Sequence, residues 1–256
     1  MIELKNISIT LNDNVILDDV TLNIEMGMNT IVLGPSGAGK SSILKIILGL
    51  WKPDNGEIIF EGKNVCKMTD DEILQLRKKV GIVFQGNALF DSLTVAENIL
   101  YFLPGKKKLS ENELKYKIEE LLSFVNLSGT ENLYPEELSG GMKKRVAIAR
   151  ALAFNPQVVL FDEPTTGLDP INTESILELI EKLKQNGTTS VVVTHILDDA
   201  IEVGDNFIVI NEGKIVEAGS LEKILRSKNP FVNEFFKRFI EENHNPFIRI
   251  SKEVNK

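Results

Sequence analysis

Residues 30–41 read Thr-Ile-Val-Leu-Gly-Pro-Ser-Gly-Ala-Gly-Lys-Ser. A short β-branched and apolar run leads into a glycine-rich turn, and a helical pattern continues from it over residues 40–49. The order of strand, turn and helix matches G-x-x-x-x-G-K-[ST] in the context that pattern requires. Glycine lets the backbone turn its N–H groups inward with no Cβ in the way. Gly34, Pro35, Ser36, Gly37, Ala38 and Gly39 thus form a nest in which every residue but Pro35 offers a backbone N–H. The helix start at Lys40, Ser41 and Ser42 adds its own free N–H groups, and together they attract an anion. Lys40 supplies a point charge to the β- and γ-phosphates of a nucleoside triphosphate, ATP in the first instance, and Ser41 offers a hydroxyl to Mg²⁺.

Working outward, similar runs recur at 80–84, 158–161, 190–193 and 207–210. They are short, rich in Val and Ile, and nearly continuous, as strands buried on both faces are. Helical patterns lie at 110–125, 141–153 and 171–185. Buried strands alternating with helices predict an α/β fold with a mainly parallel sheet, a P-loop NTPase core. On either side of the loop, residues 2–11, 20–24 and 57–60 alternate like exposed strands, with turn signals such as Asn55-Gly56 between them. They predict an N-terminal antiparallel β subdomain. Residues from about 86 to 157 hold helices without buried strands, which reads as an inserted helical subdomain. The expected organisation is one ATPase domain over 1–220 and a helical tail over 221–256, ending polar at Glu241, Glu242 and Asn243 and broken by Pro246.

The chain has 256 residues, 43% hydrophobic and 26% charged, with a formal charge of −8. This composition supports a core and excludes a disordered profile. Its cations are spread along the chain, so no nucleic-acid partner is expected. The single cysteine, Cys66, can form no internal disulfide and suits a reducing compartment. Glu3 interrupts the N-terminus where a signal peptide would be apolar. The most apolar stretch, 43–51, is about half the length of a membrane span. A cytoplasmic protein is expected, with any membrane role carried by a partner.

The run 158–161 ends in Asp162-Glu163. Acids at the C-terminal edge of a parallel sheet stand where such folds bind ligands. Asp162 is expected to hold Mg²⁺ through water, since that ion dehydrates reluctantly. Glu163 is the candidate for polarising the attacking water.

Residues 138–142, Leu-Ser-Gly-Gly-Met, resemble the signature sequence of the ABC ATPases. Ser139, Gly140, Gly141 and Met142 open a helix and form a second anion nest, and Ser139 also reads as a plain N-cap. The resemblance implies a homodimer in which each signature closes over the ATP held by its partner. It also implies roles for three further residues. Gln85 matches the Q-loop glutamine, which touches Mg²⁺ or the water and reports nucleotide state to a membrane partner. Asp169 matches the D-loop, which crosses the dimer. His195 matches the switch histidine, which bonds the γ-phosphate. One feature departs from the family. Leu11 stands about where many members stack an aromatic ring on adenine, so Leu11 and Val15 offer only apolar contact and base selection is expected to be weak.

Finer details resemble the ATPases of bacterial MCE (Mla-type) phospholipid transporters: Met142 in Ser-Gly-Gly-Met-Lys-Lys-Arg, residues 84–95 (FQGNALFDSLTV) and residues 228–236 (KNPFVNEFF). That resemblance implies an integral membrane permease, an MCE lipid-binding protein and sometimes a STAS-domain protein as partners. It implies peripheral attachment to the inner face of the cytoplasmic membrane. Phe90, Leu93 and Val95 read either as core or as a groove for a permease helix. Phe231, Phe235, Phe236 and Phe239 share one helical face. They dock either on the chain's own core or on a second protein. Other cargoes (amino acid, metal, drug) and a cofactor-assembly role stay open at this point.

Overall fold

The computed structural model describes residues 1–103 and 109–242, with side chains followed as far as 237. Strands β1 (Ile2–Leu11) and β2 (Asn14–Ile24) form a hairpin, followed by β3 (Asn29–Leu33) and α1 (Lys40–Ile47). Next come β4 (Asn55–Phe60), β5 (Lys63–Asn64), α2 (Asp70–Lys79) and β6 (Val80–Val83). Three helices follow, α3 (Val95–Leu100), α4 (Glu111–Phe124) and α5 (Gly140–Leu152), before β7 (Val158–Asp162). The chain continues through α6 (Pro170–Gln185), β8 (Thr189–Thr194), α7 (Leu197–Val203), β9 (Asn206–Asn211) and β10 (Lys214–Gly219). It ends with α8 (Leu221–Leu225) and α9 (Pro230–Glu242). Pro246 and the polar end at Asn243 lie outside the described residues, as does the side chain of Phe239.

The strands form two sheets, one in the order β2-β1-β4-β5 and the other β10-β9-β3-β8-β7-β6. The first is antiparallel throughout. In the second every pairing is parallel except that of the edge strand β10. Alternate residues of the parallel strands feed two cores. Ile31, Leu33, Val159, Phe161 and Val192 join the helices α3, α5, α6 and α7 on one face. Val32, Val158, Leu160, Val191 and Val193 join α1 and the antiparallel sheet on the other. Two buried faces explain why these strands read as unbroken apolar runs.

The exposed strand expected at the N-terminus is in fact half-buried. Ile2, Leu4, Ile7 and Ile9 are all buried against the second core. The apolar positions change from even to odd numbers between Leu4 and Ile7, where the pairing with β2 shifts register. Asn6 sits in that bulge at φ 51° and donates its N–H to Thr21 Oγ1. One extra residue returns the apolar side chains to the same face.

Helix α9 folds back on the chain. Val232 and Phe236 are buried in the larger core, with Phe231 and Phe235 packed at its margin. Phe236 is 1% exposed, so Phe236→Ala removes a full ring from a closed site. It should lower unfolding free energy by about 3 kcal/mol in urea titration. A loss under about 1 kcal/mol would mean that α9 does not rely on this docking.

Candidate functional site

Parallel register sets the ends of β3, β8, β7 and β6 side by side. Leu33 pairs with Thr194, Asp162 with Val193, and Val83 with Phe161. The residues just beyond those ends are Gly34, His195, Glu163 and Phe84-Gln85. Residues as far apart in sequence as Gly34 and His195 therefore meet along one edge.

The glycine-rich loop is shaped by its neighbours. A Cβ on Gly34 would lie 2.2 Å from the Ile210 carbonyl oxygen of β9. Gly39 has φ +100°, and a Cβ there would meet the Ile16 carbonyl oxygen at 2.7 Å. Gly39 is also the N-cap of α1 and offers no side chain to its free N–H groups. Helices α2, α3, α4, α5, α6 and α8 each have a capping side chain, from Thr69, Thr94, Ser110, Ser139, Asp169 and Ser220. The start of α1 is thus left open to an anion.

Charged groups converge on that opening. Lys40 is buried, and its Nζ donates to the carbonyls of Gly34 at 2.9 Å and Pro35 at 3.0 Å. The same Nζ lies 3.6 Å from Glu163 Oε1. Glu163 is 7% exposed. Its carboxylate accepts from Thr166 Oγ1 at 3.0 Å and lies 2.9 and 3.0 Å from His195 Nδ1. An ionised carboxylate only accepts, so Nδ1 carries the hydrogen. Nε2 of this half-exposed ring is then free to face a substrate. Glu163 holds φ 49°, which turns its side chain off the end of β7. Such a conformation in a non-glycine residue costs on the order of 1–3 kcal/mol, and sites that need it keep it.

Ser41 Oγ donates to Asp162 Oδ1 at 2.7 Å. Two oxygen-bearing side chains at the phosphate edge suit a hard cation such as Mg²⁺, which takes few protein ligands and keeps water and phosphate for the rest. No cluster of three or more His, Cys, Asp or Glu is arranged for a metal among the described residues.

The other expected residues are spread more widely. Gln85 is exposed at the end of β6. Leu11 is half-buried at the tip of the β1–β2 hairpin, and Val15 is 60% exposed just before Ile16 and Leu17, which pack on Gly39. Ser139 does cap α5, accepting from Met142 N at 3.3 Å. The turn it opens borders α6 rather than the phosphate loop, since a Cβ on Gly141 would strike the Asn172 side chain. Asn172 in turn donates its N–H and its Nδ2 to Asp169, which holds that carboxyl below its usual range.

Sequence reading missed several polar groups. Thr166 completes the bonding of Glu163. Thr165 Oγ1 donates to Asp199, whose carboxyl is pushed up by burial. Lys144 is 2% exposed, and its burial lowers the ammonium to about 8, opposed by the nearby Asp162 charge. A lysine on an apolar helical face was the one available signal for it.

A family model described as ABC transporter matches residues 17–166. The chain belongs to the ABC transporter family. The intermembrane phospholipid transport system ATP-binding protein MlaF of Haemophilus influenzae is 37% identical over 238 residues, 93% of this chain and 90% of that protein. The sulfate/thiosulfate import ATP-binding protein CysA of Halalkalibacterium halodurans is 41% identical over 239 residues, 91% of this chain and 66% of that one. Among solved structures, the dimeric ATP-binding cassette MJ0796 bound to ADP and Pi is similar with a TM-score of 0.79 and 37% identity. That likeness covers 86% of this chain and 99% of the cassette. The ABC ATPase fold, and ATP as the ligand it binds, follow from these matches together.

Gly34 tests the loop's shape. Its ideal Cβ meets backbone rather than a movable side chain. Gly34→Ala should weaken ATP binding on the order of a hundredfold while the chain still unfolds cooperatively. Titration with a fluorescent ATP analogue checks this, and unchanged affinity would show that the loop does not need its approach to β9.

Proposed function

We propose that two copies of this chain pair head to tail and hydrolyse ATP between them, driving phospholipid through a membrane permease. The observation that carries the reading is Glu163, a buried carboxylate held between Lys40 and His195 beside the open start of α1. Backbone N–H groups of residues 34–41, Pro35 excepted, bind the phosphates, and Lys40 shifts from Glu163 to the β- and γ-phosphates. Glu163 then accepts a hydrogen bond from the attacking water, with His195 Nδ1 fixing its direction and Nε2 facing the γ-phosphate. Ser41, Asp162 through water, and Gln85 would hold Mg²⁺, which supplies charge neutralisation when bound. Ser139–Met142 of each copy closes over the partner's nucleotide, and Asp169 crosses the junction. Leu11 and Val15 give the base only apolar contact.

In this reading residues 1–220 are the ATPase domain, about 86–157 its helical subdomain and 221–256 a tail. Attachment goes through the permease, on the inner face of the membrane; no helix among the described residues is long and apolar enough to cross one. An exposed aromatic cluster supports a docking face there. Phe90, Tyr101 and Phe102 are 36%, 52% and 58% exposed, with centroids 4.4 Å apart for the first pair and 4.7 Å for the last two. The likeness to MlaF over nearly the whole chain supports phospholipid as cargo, and an MCE protein and a STAS-domain subunit complete the proposed set of partners. The likeness to CysA keeps a second cargo class in view. Lipid bound to the complex purified with its permease favours the first, and its absence the second.

Glu163→Gln keeps the shape of the side chain and removes the acceptor charge. ATP affinity should stay within about twofold while turnover falls at least about a hundredfold, and ATP should hold the variant as a dimer on gel filtration. Turnover at the wild-type rate would remove Glu163 from this role. The same assay with GTP checks the apolar base contact, which a rate more than about a hundredfold below that of ATP would contradict.

A further inference from the structure

Two cations of α5 grip the loop that carries Gln85. Lys144 donates from Nζ to the carbonyl of Gln85 at 2.9 Å and of Phe84 at 3.3 Å. Less than two turns later, Arg150 donates from Nη2 to Asn87 O at 2.7 Å and from Nη1 to Ala88 O at 2.6 Å. Charged donors on one helix thus hold the carbonyls of residues 84, 85, 87 and 88. Asn87 and Ala88 have φ of 63° and 51°, the left-handed region that non-glycine residues avoid. The Arg150 fork fixes both carbonyls in that conformation.

The grip continues along the loop. Asn98 of α3 is fully buried. Its Oδ1 accepts from Phe90 N, and its Nδ2 donates to the carbonyls of Phe90, Leu93 and Thr94. A polar chain therefore runs from the helix opened by Ser139, through residues 84–94, to the aromatic cluster at Phe90. Stability alone would not select Lys144. A buried ammonium is costly, and an apolar side chain of the same length would pack there more cheaply.

We propose that Lys144 and Arg150 are positioning residues that lock the Gln85 loop to α5, so that movement of the Ser139–Met142 turn carries residues 84–94 and the Phe90 face with it. The proposal rests on the roles given above to that turn and to Gln85. A nucleotide bound in one copy would pull on the partner's signature turn. The clamp would pass that pull to the partner's own Gln85 and to its permease-facing surface without a flexible joint between them.

The test uses the full chain with Lys144→Met, which keeps length and removes the donors, and Lys144→Gln, which keeps a donor. Amide hydrogen exchange reads the clamp, and turnover reads its purpose. Lys144→Met should unfold at the wild-type temperature or higher, because a buried charge has gone. Its amides over 86–90 should exchange at least about tenfold faster. Its kcat should fall about tenfold with ATP affinity within about twofold, and Lys144→Gln should recover part of both losses. Arg150→Lys, which replaces two separate Nη donors by one ammonium on a shorter side chain, should loosen the same amides. Exchange within about twofold of wild type in Lys144→Met and Arg150→Lys would overturn the clamp. Faster exchange with unchanged kcat would overturn its role in turnover. A wild-type chain without turnover would instead strike the ATPase reading, and the exchange result would still decide the clamp.

Discussion

The in-register pairing of β3, β8, β7 and β6 is the constraint on which the rest depends. Parallel strands of matched length end together, so the loops beyond them share one edge. The phosphate loop, His195, Asp162-Glu163 and Gln85 follow those four strands. Both faces of the sheet are buried, which fixes the register, because a slip of one residue would send every side chain to the wrong core. The precision of the site is therefore inherited from hydrophobic packing far from any charged group.

Charge at that edge is balanced within the chain. Lys40 and Glu163 are both buried, and neither would tolerate isolation. Each serves as the other's partner, with Thr166, His195 and the loop carbonyls completing the bonds. A triphosphate offers Lys40 a stronger partner than Glu163 does. In the proposed mechanism, binding then releases the carboxylate toward water, so that binding precedes chemistry. Asn172 links Asp169 to the signature turn, so the two elements assigned to the subunit junction are braced against each other within one chain.

Much of this was legible in the sequence, for identifiable reasons. The parallel strands announce themselves because they are buried on both faces, and the phosphate loop because its glycines, lysine and serine each answer a separate physical demand. Helix α2 was not read: only Leu76 of its ten residues is buried, so its apolar period is faint, although Thr69 and Glu72 form a capping box. Strand β10 pairs at the edge with no buried residue, and its composition resembles a loop. The alternation in β1 was read as an exposed strand, since sequence does not reveal that the antiparallel sheet lies over α1. Thr166, Lys144 and Arg150 were missed because their work is done by bonds to groups distant in sequence, which leave no local pattern. The resemblance supplied Gln85 and Asp169, whose side chains gather no convergent partners at the phosphate loop here.

The central claim is that the site is completed by a second copy. Interchain disulfide formation tests it most directly. In a Cys66→Ser background, cysteine replaces Ser36 in one copy and Ser139 in another, and the two are mixed with a non-hydrolysable ATP analogue and a mild oxidant. The account predicts a nucleotide-dependent cross-link between copies. No cross-link with nucleotide bound, or the same yield without nucleotide, would contradict it.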